Sequence, residues 1–205
     1  MGAIGGLTLG EHMILSDGEI RQAIADEVLS FNPPLDEEYL TVALTTSALD
    51  LRLGDELQFY RPLEEVAPKG LADPIVIDPS KPGVIPDLIS KWGKRHSIEN
   101  AYYDLPPRQF VLGSTLERVS LPEASGIAAR VEGKSTLARL GFVVHMTAPT
   151  VHCGFRGSIV LEMYNLGDYP IRLSPGMRIC QLIFERLGQP PLQAQASQYQ
   201  GQSGP

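Results

Sequence analysis

Residues Gly154 to Asn165 read GFRGSIVLEMYN, an apolar run with glycines at its start and asparagine at its end. Short apolar runs of this kind, bounded by turn-forming residues, are typical of β-strands. Side chains alternate between two faces in a strand, so Glu162 shares its face with Val160 and Tyr164. The stretch therefore predicts a strand that is apolar on both faces and carries one carboxylate.

Similar short segments lie on both sides of this run and are separated by Gly, Pro, Asn and Asp residues. The predicted strands are Leu49 to Leu53, Phe110 to Leu112, Ile127 to Val131, Ser158 to Tyr164, Ile171 to Leu173 and Ile179 to Phe184. Many short strands with turns between them favour a sandwich, jelly roll or barrel. Long helical patterns do not alternate with the strands, which disfavours a parallel α/β fold.

The remaining segments suggest how the chain is organised. Residues 1–12 form a Gly-rich leader, and a capping box at Ser16 predicts a helix from about Asp17 to Leu29. The main domain is expected to span residues 13–187, with a proline-containing insertion at about residues 61–108. We favour an insertion folded on the outside of the barrel over a functional lid. Residues 188–205 are rich in Gln, Pro, Ser and Gly, a composition typical of a disordered tail.

Composition excludes several classes of function. The net charge of −7 argues against a broad basic surface for long nucleic acid, although a small anionic ligand needs only local donors. Two cysteines, Cys153 and Cys180, do not make a disulfide framework, and a reducing cytoplasm is the expected location. We find no secretory signal and no apolar segment long enough to span a bilayer.

The first stretch that could carry chemistry runs from Val131 to Gly141 and contains Gly133-Lys134-Ser135. A strand that ends before a helix start, with hydroxyls and cations beside it, can bind phosphate oxygens. A Walker loop is excluded, because that motif needs glycine where Ala128 stands. By itself the stretch is equally compatible with a capped surface turn.

The second is Glu162 within its apolar strand. Burying an ionised, unpaired carboxylate is unfavourable by several kcal/mol, roughly. Either this carboxylate has a partner, or its proton affinity is raised so that it serves as a general acid and base. A Glu that faces solvent at the sheet rim, or that pairs with an Arg, is the alternative.

A third stretch, His145 to Cys153, suggests a metal site at first sight. Zinc deaminases, however, carry H-x-E followed by P-C-x-x-C, and neither motif occurs in this chain. Neighbours on a strand point to opposite faces, so His152 and Cys153 would chelate one ion poorly. The sequence therefore predicts no protein-bound zinc, and Cys180 is interpreted as a small core residue.

Taken together, these segments resemble the dCTP deaminases, which share the fold of trimeric dUTPases. The matching stretches are Ile14 to Asp17, Ser47 to Gly54, Phe110 to Glu117, Glu132 to Gly141, Gly154 to Asn165, Pro175 to Met177, Gln181-Leu182, Tyr199 to Gln202 and Gly204-Pro205. The match runs from about Met13 to Pro205 and is weak between Arg61 and Arg108. The resemblance implies an all-β, dUTPase-like distorted jelly-roll β-barrel with short helices, assembled as a homotrimer with sites between subunits.

The resemblance also implies a reaction, the hydrolytic deamination of dCTP to dUTP and ammonia, which supplies dUTP for thymidylate synthesis. Glu162 would move the protons, and Ser135 and Arg139 would help to position it and the water. The other roles it implies concern binding. The triphosphate, with Mg²⁺ carried on it, would be held by Lys134, Ser135, Thr136 and Arg139. The base would meet the backbone of Val160 and Leu161. The nucleotide would be enclosed by Gln181 and by Tyr199 and Gln202, the last two from the tail that closes over it.

Two residues depart from the family pattern. His152 replaces the Asp that contacts the deoxyribose 3′-hydroxyl, and Gln198 replaces a phosphate-directed Lys of the tail. A His is a poorer base for a water that attacks phosphorus, so we expect dUTP and not dUMP as the product. A bifunctional deaminase that forms dUMP, a deaminase acting on a modified deoxycytidine nucleotide, and a non-catalytic nucleotide sensor remain alternatives. Inhibition by dTTP is left open.

Overall fold

The fold is that of a computed structural model and is described for residues 13–62, 65, 76–81, 90–193, 201 and 203–205. The strands are β1 (Ser30–Asn32), β2 (Leu49–Tyr60), β3 (Gly93–Ser97), β4 (Tyr103–Leu105), β5 (Phe110–Ser120), β6 (Ile127–Gly133), β7 (Phe142–Val143), β8 (Thr150–Val151), β9 (Arg156–Asn165), β10 (Ile171–Leu173) and β11 (Arg178–Arg186). The helices with described bounds are α1 (Asp17–Ala25), α2 (Glu37–Ala43) and α3 (Ser135–Ala138). No helix among these residues is long and apolar enough to cross a membrane.

Nine strands form one curled sheet. Its order is β7-β9-β5-β2-β11-β6-β8, with β1 added to β5 and β3 added to β2, while β10 and β4 pair separately. Strand β2 holds the two halves of the curl together, since residues from Leu49 to Arg52 pair with β11 and residues from Leu53 onward pair with β5. The mainly β, half-barrel architecture confirms the predicted fold class. The homotrimer remains a prediction.

The hydrophobic core lies inside the curl. Strands β2, β9 and β11 each contribute fully buried side chains, among them Leu51, Leu53, Leu57, Leu161, Met163, Leu182 and Phe184. Each such side chain contributes about 1.5–3 kcal/mol through removal from water. Helix α1 adds Ile20 to the same cluster from outside the sheet. The core thereby fixes the alternation of β9, with residues 159, 161 and 163 facing inward.

Three predicted boundaries were wrong. Strand β2 runs through Gly54-Asp55 to Tyr60, where the sequence predicted a break. A Cβ on Gly54 would lie 3.2 Å from the carbonyl oxygen of Ser114, so this glycine permits close approach of β5 and does not end the strand. Likewise β5 extends to Ser120. Helix α1 ends at Ala25, four residues early, because Glu27 takes a left-handed backbone with φ 57°.

The described part of the insertion joins the two sheets. Strand β3 pairs with β2, and β4 pairs with β10. A basic patch in this insertion comprises Lys91, Lys94 and Arg95, and Arg95 forms an ion pair with Glu56 at 3.4 Å. A cavity of about 310 Å³ opens beside these strands and is lined by Phe59, Lys94 and His96, among others. None of the predicted site residues lines it, so we place the candidate site elsewhere.

Candidate active site

Glu162 projects from the middle of β9. Its neighbours Leu161 and Met163 are fully buried, whereas Val160, Glu162 and Tyr164 form a half-buried face of the strand. The backbone N–H of Met146 donates to Glu162 Oε2 at 3.4 Å. No Lys or Arg of the described residues forms an ion pair with it. Within one chain the Glu162 carboxylate is therefore only partly buried. The sequence, with apolar residues on both faces of the strand, suggested deeper burial.

The predicted phosphate cradle, Lys134 to Arg139, follows the end of β6 directly. Helix α3 is a single turn whose N-cap, Lys134, makes no side-chain capping bond. The backbone carbonyl oxygen of Lys134 accepts hydrogen bonds from the N–H groups of Leu137 at 3.0 Å and Ala138 at 2.9 Å. The side chains of Ser135, Thr136 and Arg139 are exposed. The turn thus presents two hydroxyls and a guanidinium to a ligand arriving from solvent.

A close backbone contact joins this turn to β9. Gly141 has φ +79°, and a Cβ placed on it would lie 2.7 Å from the Gly167 nitrogen. Its carbonyl oxygen accepts from the N–H of Leu166 at 2.8 Å, just beyond the end of β9. Strand β7 follows at once and pairs Val143 with Tyr164. The cradle is therefore held against the carboxyl end of the strand that carries Glu162.

The segment from Lys134 to Met146 links the two predicted functional groups. It begins with the cradle, passes through β7, and ends where Met146 contacts Glu162. Val144 lies next to the start of the same segment, since a Cβ on Gly133 would lie 3.6 Å from its Cγ2. Within the described residues, Glu162 forms no hydrogen bond or ion pair with Ser135 or Arg139. One ordered segment thus connects the two groups.

Lys134 has a partner that sequence reasoning missed. Its ammonium group forms an ion pair with Asp50, a β2 residue whose side chain is only 3% exposed. Arg178 approaches the same carboxylate oxygen at 3.3 Å. In the sequence Leu49, Leu51 and Leu53 alternate with Asp50 and Arg52, and no role was predicted for Asp50. The signal that could have found it is the one that singled out Glu162, a carboxylate inside an apolar strand.

Gln181 lies beside this cluster, and its predicted contact with the nucleotide remains a prediction. On β11 it is registered opposite Asp50 on one side and Glu132 on the other. Its Nε2 donates to the carbonyl oxygen of Gly133 at 3.4 Å, one residue before Lys134. The structure therefore brings Gln181 to the base of the cradle.

His152 and Cys153 have different environments. His152 is exposed in the turn after β8, while Cys153 is 7% exposed with Sγ near the carbonyl oxygens of Pro122 and Glu123. The two side chains do not converge on one point. No group of three His, Cys, Asp or Glu side chains suited to a metal ion occurs among the described residues. The role predicted for His152 toward the sugar remains a prediction.

Burial governs two titratable groups around Asp50. Burial raises the pKa of the Cys180 thiol well above its usual range, and the nearby carboxylates of Glu117 and Asp50 add to the shift. A thiol kept protonated is a core group, which agrees with the interpretation of Cys180. Burial also raises the pKa of Tyr39, whose hydroxyl donates to the carbonyl oxygen of Asp50 at 2.9 Å. This tyrosine stays neutral and supports β2.

The tail is described only in part. Gln198, Tyr199 and Gln202 lie outside the described residues, so their predicted contacts with the nucleotide are untested. The N–H of Gly201 donates to the carbonyl oxygen of Arg156 at 2.7 Å, at the start of β9. Pro205 is buried. The end of the tail therefore returns to the sheet, which its composition did not predict.

Comparison with known proteins gives relatives along nearly the whole chain. The family model described as dCTP deaminase-like matches residues 14–187. The chain is 39% identical over 192 residues to a dUMP-forming dCTP deaminase of Aquifex aeolicus, with coverage of 94% of this chain and 92% of the relative. It is 40% identical over 198 residues to a dCTP deaminase of Natronomonas pharaonis, with the same two coverages.

A solved structure shares the fold. The 2′-deoxycytidine 5′-triphosphate deaminase from Agrobacterium tumefaciens superposes with a TM-score of 0.61 over 85% of this chain. The sequence identity is 22%, and the present chain spans 48% of that one, about half its length. At this identity the similarity concerns the fold alone.

Proposed function

The chain belongs to the dCTP deaminase-like family and is a hydrolytic deaminase, and we propose that its reaction converts dCTP to dUTP and ammonia. The observation that carries the proposal is the ordered segment between the Lys134–Arg139 cradle and Glu162. A triphosphate bound at one end of this segment and a pyrimidine at the other would share one site. Deamination of a nucleoside triphosphate needs groups that bind the phosphates and a group that transfers protons. The segment from Lys134 to Met146 connects the cradle, which would bind the phosphates, with Glu162, which would transfer the protons.

In the proposed chemistry, Glu162 takes a proton from water as the oxygen bonds to C4 of cytosine. The same carboxyl group then returns protons to the pyrimidine, the C4–N bond breaks, and ammonia leaves. Val160 and Leu161 would recognise the base through their backbone. The pairing of β9 supports this role, because β7 pairs with it only at Tyr164 and Asn165. Among the described strands, the edge of β9 at Val160 and Leu161 that faces away from β5 therefore has no strand partner.

In the proposed binding mode, Ser135 and Thr136 donate hydroxyl groups and Lys134 and Arg139 supply charge. Mg²⁺ is expected to arrive with the nucleotide. The exposed cradle offers the phosphate oxygens hydroxyls and a guanidinium and offers Mg²⁺ no carboxylate, since the buried Asp50 carboxylate is engaged by two cations. This donor set fits an ion carried by the triphosphate oxygens, whose charge it would neutralise.

We also propose that a neighbouring subunit completes the site. The face formed by Val160, Glu162 and Tyr164 is half-buried in one chain, and a second copy would cover it. Residues 188–205 would close over the nucleotide. The bond between Gly201 and Arg156, at the start of β9, supports a tail that lies close to this strand.

Arg139→Ala is expected to raise KM for dCTP by about 10–100-fold, since charge-assisted hydrogen bonds are worth about 1.5–3 kcal/mol. If Arg139 also positions Glu162, kcat falls as well. Steady-state ammonia release measures both constants. Arg21→Ala is the matched control, because Arg21 is a surface cation of α1 that pairs with Glu37 and is not one of the predicted site residues. Equal effects of the two substitutions would count against a phosphate role for Arg139.

A product assay tests the proposed reaction. We expect dCTP with Mg²⁺ to give equimolar ammonia and dUTP, unaffected by zinc chelators, with no pyrophosphate released from dCTP or dUTP. The competing function, dUMP formation, is favoured by the similarity to the dUMP-forming dCTP deaminase of Aquifex aeolicus. His152 disfavours it, because a His is a poorer base for a water that attacks phosphorus. Pyrophosphate production would establish the bifunctional reaction, and the absence of ammonia would remove the deaminase proposal altogether.

A further inference from the structure

Asp50 is more deeply buried than any residue of the predicted cradle. It is 2% exposed, and its Oδ2 accepts from Lys134 and from Arg178 Nη1. Its Oδ1 is buried and has no hydrogen-bond partner among the described residues. A carboxylate in this position is stable only when it is paired, so the two cations are held to it strongly.

The cluster is anchored on three sides. Arg178 also donates to the carbonyl oxygen of Val42 at the end of α2, and Tyr39 donates to the backbone of Asp50. On β11, Gln181 is registered opposite Asp50 and bonds to Gly133. These contacts fix the backbone of Asp50 and its second cation, so the carboxylate has a defined position at which it meets Lys134.

The consequence for Lys134 is a fixed ammonium position. Its side chain is 21% exposed, compared with 44% for Arg178. An ammonium group has three N–H donors, and the bond to Asp50 Oδ2 uses one of them. Among the described residues no other acceptor bonds this ammonium, so the other two donors remain for oxygens of a ligand, and the next residues, Ser135 and Thr136, are exposed.

We propose that Asp50 is a positioning residue that holds the Lys134 ammonium in place for a phosphate chain. The inference rests on the proposed function of the Lys134–Arg139 cradle. Asp50 itself does not touch the ligand. Because two cations share one carboxylate, the cluster keeps one net positive charge, which favours an anion at the cradle. Pre-orientation of the lysine removes the need to order its flexible side chain when the ligand binds.

A purely structural ion pair would stabilise the fold and leave ligand binding unchanged. A double-mutant cycle separates the two roles, since residues that act through one another give non-additive effects. The probe is inorganic tripolyphosphate, and its affinity is measured by calorimetry on the full chain. The variants are Asp50→Asn, Lys134→Met and the double substitution.

We expect each single substitution to weaken tripolyphosphate binding by about tenfold, within the range for a charged hydrogen bond. The double variant should lose no more than about threefold beyond Lys134→Met. Glu117→Gln is the matched control. Glu117 is a fully buried carboxylate whose partner is Arg52, so its loss should lower stability and leave tripolyphosphate affinity unchanged.

Wild-type affinity in Asp50→Asn, additive losses in the double variant, or no measurable binding by the wild-type chain would each overturn the inference. If Asp50→Asn does not fold, Asp50→Glu tests the inference, because it keeps the charge but displaces the carboxylate. Positioning is supported if Asp50→Glu weakens tripolyphosphate binding in the wild-type chain and has no effect in the Lys134→Met background. Unchanged binding in the wild-type chain refutes it. Ammonia release from dCTP tests the proposed function separately, because tripolyphosphate binding does not depend on turnover.

Discussion

Replacing Glu162 with Gln is expected to reduce ammonia release from dCTP by about 10²–10⁴-fold, the range for loss of a general acid and base. The amide has nearly the same shape as the carboxyl group, but it can neither accept the proton of water nor return it to the pyrimidine. The half-buried position of Glu162 on β9 predicts little change in packing. The loss should therefore fall on kcat, with KM for dCTP nearly unchanged.

Glu185→Gln is the matched control for this experiment. Glu185 is another half-exposed glutamate in a strand, but it lies on β11 and pairs with Arg130 at 2.7 Å. It should keep wild-type turnover. Nucleotide binding by Glu162→Gln, followed by titration calorimetry, verifies that the site is formed. Full turnover in a folded Glu162→Gln variant would exclude the proposed proton transfers.

Gly141→Ala should have the largest effect on stability. The left-handed backbone at φ +79° is unfavourable for alanine by about 1–2 kcal/mol. In addition, the new Cβ would lie 2.7 Å from the Gly167 nitrogen, and backbone has to shift to relieve that contact. Overpacking of this kind adds about 1–3 kcal/mol. The sum of about 2–5 kcal/mol is a large part of the 5–15 kcal/mol that typically stabilises a domain, roughly speaking.

Gly176→Ala separates the cost of the left-handed backbone from the cost of the steric contact. Gly176 has a similar φ of +76°, and a Cβ on it would meet no atom within 4 Å. Denaturant unfolding should therefore show a clearly smaller loss for Gly176→Ala than for Gly141→Ala. Equal losses would mean that backbone conformation alone accounts for the effect. Because Gly141 holds the cradle against β9, its variant should also lose turnover at temperatures where it is still folded.

Much of the fold was predictable from local patterns. The strand around Glu162 alternates with period two, and this period depends only on the geometry of an extended chain. The turn residues between the other short apolar segments indicated a mainly β fold, because turn formation also depends on local sequence. The predictions failed where a residue serves two purposes. Gly54 looks like a breaker in sequence, yet in the sheet it allows β2 and β5 to come close.

The candidate site was predictable in its chemistry and less so in its surroundings. The residue types of the cradle and the carboxylate of β9 can be read from the chain, because hydroxyls, cations and an acid in an apolar run are local features. Asp50 is also a carboxylate inside an apolar strand, so the chain carries a local signal for it. Its partners could not be read in the same way, because they lie on β11 and at Lys134, which is 84 residues away in the sequence.

By itself the sequence determined the β class of this protein, the family that it resembles and the residues that could carry its chemistry. The tertiary structure alone decided that Asp50 is buried under two cations, that Glu162 lies on a half-open face, and that Gly141 meets Gly167. The reason is physical. A local pattern reports which side chains share a face, whereas what covers that face depends on strands and turns that are distant in the chain.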